Sequence, residues 1–304
     1  MKEHQKIKYA PIFVISAAVL WGFDGIILRP SLYVLPVTLV VFVESLLTTI
    51  LLTPVLFKQL KTIKLIENKD LLAFFAVALF GGAIGTMAIT KALFYVNYVN
   101  LSIVIFIQKL QPIFALSLAS ILLKERLPKE FFIWASLAIF GAYIMTFGFS
   151  LPATNTGDKT IDAAFFALIA AASFAASTVF SKRALKNVSF YMGTYLRFLI
   201  SSILMFFIIL GFGQISSLAE LTSHQILIFF LIAFSSGGFA IFLYYYGLKQ
   251  ISASRAAIYE LAFPLSAVLL EFFVHDKILN LVQWIGVIML TIGIMRVTKT
   301  ADNN

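Results

Sequence analysis

The chain has no cysteine in its 304 residues and only three histidines. A disulfide, a thiolate metal site and a cysteine nucleophile are therefore excluded. His4, His224 and His275 stand at a terminus or in connectors, and no H-E-x-x-H occurs. No Ser–His–Asp or paired-carboxylate arrangement stands out, so an intramembrane enzyme is disfavoured, and without a Walker A sequence so is a self-contained ATP-driven pump. Charge is scarce as well. Asp, Glu, Lys and Arg make up 12% of the chain, against about 25% in a soluble domain. That is too little to cover a water-facing surface.

Long apolar runs are what the chain does have. Hydrophobic residues reach 61%, with a mean hydropathy of +0.98. A bilayer core takes about 20 apolar residues per helix, and ten stretches qualify: 10–28, 35–57, 71–95, 101–123, 131–149, 163–181, 190–211, 226–246, 256–274 and 281–297. With no water to bond the backbone inside lipid, each is expected to be a helix. The first run lacks a small-residue cleavage site and reads as a retained helix. The expected fold class is an all-α membrane protein of ten transmembrane helices.

The net charge of +9 does not point to nucleic acid. With the N-terminus inside, sixteen Lys and Arg fall in inner segments and three (Arg29, Lys159, Lys277) in outer loops. This is the positive-inside bias, and it predicts a multi-pass protein of the plasma (cell inner) membrane with both termini cytoplasmic.

The two halves resemble each other. At a shift of 153, Trp21 falls on Phe174, Asp24 on Ser177, Glu44 on Arg197, Gly82 on Ser235 and Gly85 on Gly238; at 152, Gln108 falls on Glu260, Pro112 on Pro264 and Gly141 on Gly293. Five helices per half is an odd number, so the copies must enter the membrane from opposite sides. The expected organisation is a first five-helix repeat over 1–152 and a second, inverted one over 153–299, around a central cavity, with a disordered tail over 300–304. Such repeats build secondary transporters, with the site near the midplane.

Trp21, "ALFYVNYVNLSIV" (Ala92–Val104) leading to Pro112, "LLKERL" (Leu122–Leu127), and "GLKQISASRAAI" (Gly247–Ile258) leading to Pro264 carry a likeness. In this order on ten spans, they resemble the EamA-type branch of the drug/metabolite transporter superfamily. The resemblance implies two inverted five-helix repeats around a central cavity and metabolite transport, with amino-acid export the commonest activity.

Polar residues inside the spans mark a pathway by default. Gln108 and Gln111 share a helix face in "FIQKLQPIF", with Lys109 turned about 100° away. Pro112 and Pro264 each stand four residues after a polar position, Gln108 and Glu260, and predict kinks there. The candidate substrate-binding residues are Trp21, Asp24, Glu44, Tyr95, Gln108, Lys109, Gln111, Tyr259 and Glu260. Asp24, Glu44, Lys91, Arg197 and Glu271 are candidate ion pairs or proton sites, with Glu44–Lys109 and Asp24–Lys91 matched by depth. Tyr244–Tyr246 read as an interface belt, and Gly81–Gly85 as a close helix contact. Mixed charges at depth suit a small polar metabolite, an amino acid or related zwitterion, exported or exchanged by alternating access. An organic cation or drug and a nucleotide-like or sulfonium metabolite are the alternatives. No cofactor or metal is expected. The expected partners are the substrate and the bilayer, and a monomer suffices to enclose the cavity, with a dimer as the alternative.

Overall fold

The computed structural model describes residues 3–94, 104, 107–108, 110–151, 159–275 and 279–302. Among these, nine helices are long and apolar enough to span a membrane. They are α1 (Tyr9–Leu32), α2 (Val37–Leu56), α3 (Asn68–Ala92), α5 (Lys129–Phe147), α6 (Ile161–Ala184), α7 (Phe190–Gly211), α8 (Ser223–Gln250), α9 (Ala253–Leu270) and α10 (Leu281–Lys299). The shorter α4 (Gln111–Leu122) is the tenth; residues just before it lie outside the described set. No strand occurs among the described residues. Each of the ten expected runs thus contains a helix among its described residues. The last helix continues to Asp302, beyond the expected end of order at Lys299, because no Gly or Pro interrupts the chain there.

Helix contacts follow one rule. α5 packs on α10, α2 on α7 and α4 on α9; α3 packs on α6 as α8 does on α1, and α4 on α6 as α9 does on α1. Exchanging the first five helices for the last five leaves this set of contacts unchanged. The α5–α10 contact shows the same exchange atom by atom. A Cβ at Gly141 would meet the backbone of Leu290, and one at Gly293 that of Ala138. Each of these two glycines, 152 residues apart, therefore sits against the residue 152 removed from the other's partner. Helices without a hydrophobic drive between them in lipid associate through such small-residue contacts.

Gly286 is the tightest point of that contact. A Cβ there would fall on Met145 N and within 2.7 Å of both the Ile144 carbonyl carbon and Met145 Cα. These are backbone atoms that cannot swing aside. Gly286→Leu is expected to push α5 and α10 apart and cost about 1–3 kcal/mol, read as a lower melting temperature in detergent. An unchanged transition would mean that the two helices do not approach this closely.

Both third helices of the halves carry a π-turn at corresponding places, Ala78–Ile84 in α3 and Ala233–Gly237 in α8. Such turns widen a helix and are frequent at functional sites. Cβ atoms at Gly81 and Gly82 would meet Ser177 and Ser201, and the one at Gly81 would also lie 3.4 Å from an Arg197 nitrogen. In the other half Gly237 and Gly238 face Glu44 and Thr48. Glu44 and Arg197 stand 153 residues apart, as do Thr48 and Ser201, so the α2–α8 and α7–α3 contacts repeat each other with a carboxylate in one and a guanidinium in the other. "GGAIG" thus packs as expected, and brings a charged residue to each π-turn.

Candidate functional site

Two helices are broken at matching places. In the first half, Leu110 forms a turn, its amide bonded to the Ile107 carbonyl at 3.0 Å, and α4 begins at Gln111 with Pro112 in its first turn. Proline is tolerated there because a first-turn amide has no partner to lose. In the second half, the segment Ala253–Tyr259 ends at Glu260, and a new one starts at Ala262 with Pro264 inside its first turn. The two breaks place polar side chains between helices rather than along them.

Glu260 is the centre of this arrangement. Gln111 Nε2 donates to one carboxylate oxygen at 2.8 Å; the Tyr244 hydroxyl at 2.6 Å and Thr178 Oγ1 at 3.2 Å donate to the other. The Tyr244 and Thr178 hydroxyls are also 3.0 Å apart. Helices α4, α6, α8 and α9 therefore meet on a single carboxylate. Trp21 closes the group from α1. Its ring lies 5.4 Å from that of Tyr244, and its Nε1 donates to the Ser236 carbonyl at 3.0 Å. Ser236 belongs to the π-turn of α8, whose i→i+5 spacing leaves a carbonyl available to an outside donor. Three residues before Gln111, the Gln108 Nε2 amide is buried with no hydrogen-bond partner among the described residues, a costly state for a donor unless something else occupies it.

A second cluster holds the other charges. Asp24 opens a π-turn (Asp24–Leu28), and the Arg29 backbone amide donates to the Asp24 carbonyl. That bond stacks Arg29 above Asp24, and the Arg29 guanidinium donates to the Asp24 carboxylate from Nε (3.0 Å) and from a terminal nitrogen (2.5 Å). The same terminal nitrogen lies 3.3 Å from Glu44 Oε2.

The sequence-derived assignments need three corrections. Arg29 is not a free outer-loop cation; it is three-quarters buried and pairs with Asp24 and Glu44. Asp24 is therefore bonded to Arg29 in place of the depth-matched Lys91, whose side chain is exposed, while the Glu44–Lys109 pairing falls on Lys109, outside the described residues. Tyr244 and Tyr245 are not an interface belt: they are 3% and 0% exposed, and Tyr245 shares a 2.9 Å hydrogen bond with Ser181. Tyr246, half-buried, packs on Phe13 and Phe190. Tyr259 is fully buried beside Glu260. Tyr95 and Lys109 lie outside the described residues, as does the side chain of Glu271.

Thr178, Tyr244 and Arg29 were absent from the expected site. A signal for the first two exists in hindsight. Thr178 and Ser181 are hydroxyls three apart on an otherwise alanine-rich helix, and they meet the adjacent tyrosines 244 and 245. One further polar contact joins the halves. Glu125, in the "LLKERL" segment, accepts from the amides of Ala253 (2.7 Å) and Ser254 (3.1 Å) and from Ser254 Oγ (2.6 Å). A carboxylate at a helix N-terminus satisfies amides that have no partner within the helix, so Glu125 fixes the start of α9 to the end of α4.

Comparison with known proteins agrees with this architecture. The EamA-like transporter family matches residues 8–147 and 162–298. A riboflavin transporter, ImpX, of Fusobacterium nucleatum subsp. nucleatum is 43% identical over 290 residues, covering 95% of this chain and 97% of that protein. An uncharacterized transporter of Bacillus subtilis, YwfM, is 30% identical over 199 residues, covering 63% of this chain and 64% of its own length. A solved crystal structure superposes with a TM-score of 0.75 at 15% identity, covering 94% of both chains, which bears on the fold alone. The chain is a multi-pass membrane transporter of small molecules and belongs to the EamA-like transporter family, within the drug/metabolite transporter superfamily.

Proposed function

We propose that this protein carries riboflavin, or a compound with the same ring system, across the membrane by alternating access between two inverted five-helix repeats. The relative named as a riboflavin transporter, alike over nearly the full length of both chains, suggests the substrate. The observation that carries the reading is how the buried charges are spent. Asp24 and Glu44 are bonded to Arg29, and Glu260 accepts three hydrogen bonds from neutral donors. Gln108 Nε2 is a buried amide donor without a hydrogen-bond partner among the described residues, and the Trp21 ring lies against Tyr244, whose hydroxyl is bonded to Glu260.

A zwitterion needs unpaired charges of both signs. A planar neutral ring with carbonyl and imide groups along one edge needs aromatic faces and amide donors instead, because both of its polar edge groups must be met when water is removed. Riboflavin has that chemistry, whereas two of the charges on which an amino-acid expectation drew, Asp24 and Glu44, are paired with Arg29. Contacts that survive exchange of the halves support the inverted-repeat reading, and the paired helix breaks suit a site between them. The end of the molecule rich in Lys and Arg is assigned to the cytoplasm by the positive-inside rule. The protein acts as a carrier, not an enzyme.

The test is uptake of labelled riboflavin by purified protein in liposomes, with excess unlabelled riboflavin, an amino-acid mixture or organic cations as competitors. Saturable uptake blocked by riboflavin alone is the expected result. Uptake blocked by an amino acid or a cation, or no riboflavin uptake by folded protein, contradicts the assignment.

A further inference from the structure

Away from the bundle centre, a recess of about 240 Å³ opens at one end of the molecule, lined by Lys69, Asp70, Leu122, Leu123, Lys124, Arg183, Lys186 and Asn187. A single water needs only about 10–15 Å³, so there is room for a headgroup. Four cations from three separate segments converge on it: Lys69 opens α3, Lys124 follows α4, and Arg183 and Lys186 lie at and beyond the end of α6. Of the anions, Asp70 is 2% exposed and already accepts a 2.9 Å hydrogen bond from Asn187 Nδ2. Glu67 pairs with Lys69 at 2.6 Å, but both side chains are more than half exposed, and such pairs contribute little. The recess therefore has a surplus of positive charge.

Topology alone does not account for this. The positive-inside bias requires cations somewhere in the loops, not gathered around one cavity. Lys124 also has φ 55, a conformation uncommon for a lysine, which turns the chain sharply where α4 ends beside the recess. Its surroundings identify the ligand further. Leu122 is 50% exposed on the rim, and beside it Ile121 and, one turn above Lys69, Leu72 are 71% and 67% exposed. A strip of exposed apolar side chains on α3 and α4 thus borders the cationic recess.

We propose that this recess binds the phosphate of an anionic phospholipid, its acyl chains lying along Leu72, Ile121 and Leu122. Basic recesses between membrane helices at the inner face are suited to anionic headgroups. A soluble phosphate would meet the same cations but leave the apolar strip unused. Nothing in this proposal depends on which solute the protein transports.

The experiment measures phosphatidylglycerol retained by the full-length protein in a neutral detergent, by native mass spectrometry, for the wild type and for Lys124→Gln/Arg183→Gln. Neither residue touches the Glu260 group. Loss of two charges is expected to weaken phosphatidylglycerol binding roughly 30-fold, leave phosphatidylcholine binding unchanged, and remove the rise in melting temperature that phosphatidylglycerol gives the wild type. Lys69→Gln/Lys186→Gln should show the same loss, and it decides the matter if the first variant does not fold. Equal retention by wild type and folded variant overturns the proposal. So does inorganic phosphate that stabilises the wild type as well as the lipid, which would make this a site for soluble phosphate compounds.

Discussion

Glu260→Gln is expected to lower transport by roughly 10- to 100-fold, the span corresponding to a lost charge-assisted hydrogen bond, while the protein still folds. Three donors, Gln111, Tyr244 and Thr178, converge on the two carboxylate oxygens. A glutamine at 260 has one acceptor and one donor, yet no clash needs to remain. The amide of Gln111 can turn over to present its oxygen, and the two hydroxyls can still donate to the other side. The substitution thus removes charge and keeps shape. Glu260→Ala does neither: it strands the Gln111 amide and leaves the Tyr244 and Thr178 hydroxyls only each other to bond, at about 1–3 kcal/mol per unmet donor, and should lose stability together with transport. Uptake assays paired with thermal unfolding in detergent separate the two cases. If Glu260→Gln transported like the wild type, the carboxylate would be a structural bond and no part of the site.

Removing Arg29 should be the most damaging change outside that group. Arg29→Met would leave Asp24 and Glu44 facing each other without their cation, and stranding buried charge in this way costs about 3–5 kcal/mol. All three side chains are less than one quarter exposed, so water offers little relief. The expected result is a steep fall in the yield of monodisperse protein on size-exclusion chromatography. Arg29→Met/Asp24→Asn/Glu44→Gln should recover most of it, since replacing a whole buried cluster by neutral groups is often close to neutral. Normal behaviour of the single variant would show that the triad does not hold α1 against α2.

The same residue shows where the sequence stops being readable. Hydropathy locates all ten helices, because twenty apolar residues leave the backbone no alternative in lipid. It also ended the first helix at Leu28 and left Arg29 in a loop. Residues five apart lie about 140° apart on an ideal α-helix, so no α-helical pattern joins Asp24 to Arg29. The π-turn changes that spacing, and a π-turn has no signature in composition. The burial of Tyr244 and Tyr245 is hidden for a related reason. The apolar run ends at Tyr246, but α8 continues to Gln250, which draws the tyrosines inside by a full turn. Glu260 and Gln111 were legible as candidates because each is an unusual polar residue, four positions or one position before a proline in an apolar run. Their direct bond to each other was not, since pairing across 149 residues leaves no local trace. Nor does the sequence show that Asp24 and Glu44 share Arg29, which leaves fewer free charges for a zwitterion than their number suggests.

The measurement that bears most directly on the account is riboflavin binding to the purified protein in detergent, followed by quenching of flavin fluorescence, for the wild type, Glu260→Gln and Gln108→Ala. Binding is read apart from transport, so a fault in a later step of the cycle cannot imitate a lost site. Stacking near Trp21 should quench the flavin saturably in the wild type, more weakly in Gln108→Ala, and least in Glu260→Gln. Equal, saturable quenching by all three folded proteins would place the riboflavin site elsewhere in the molecule and contradict the central assignment.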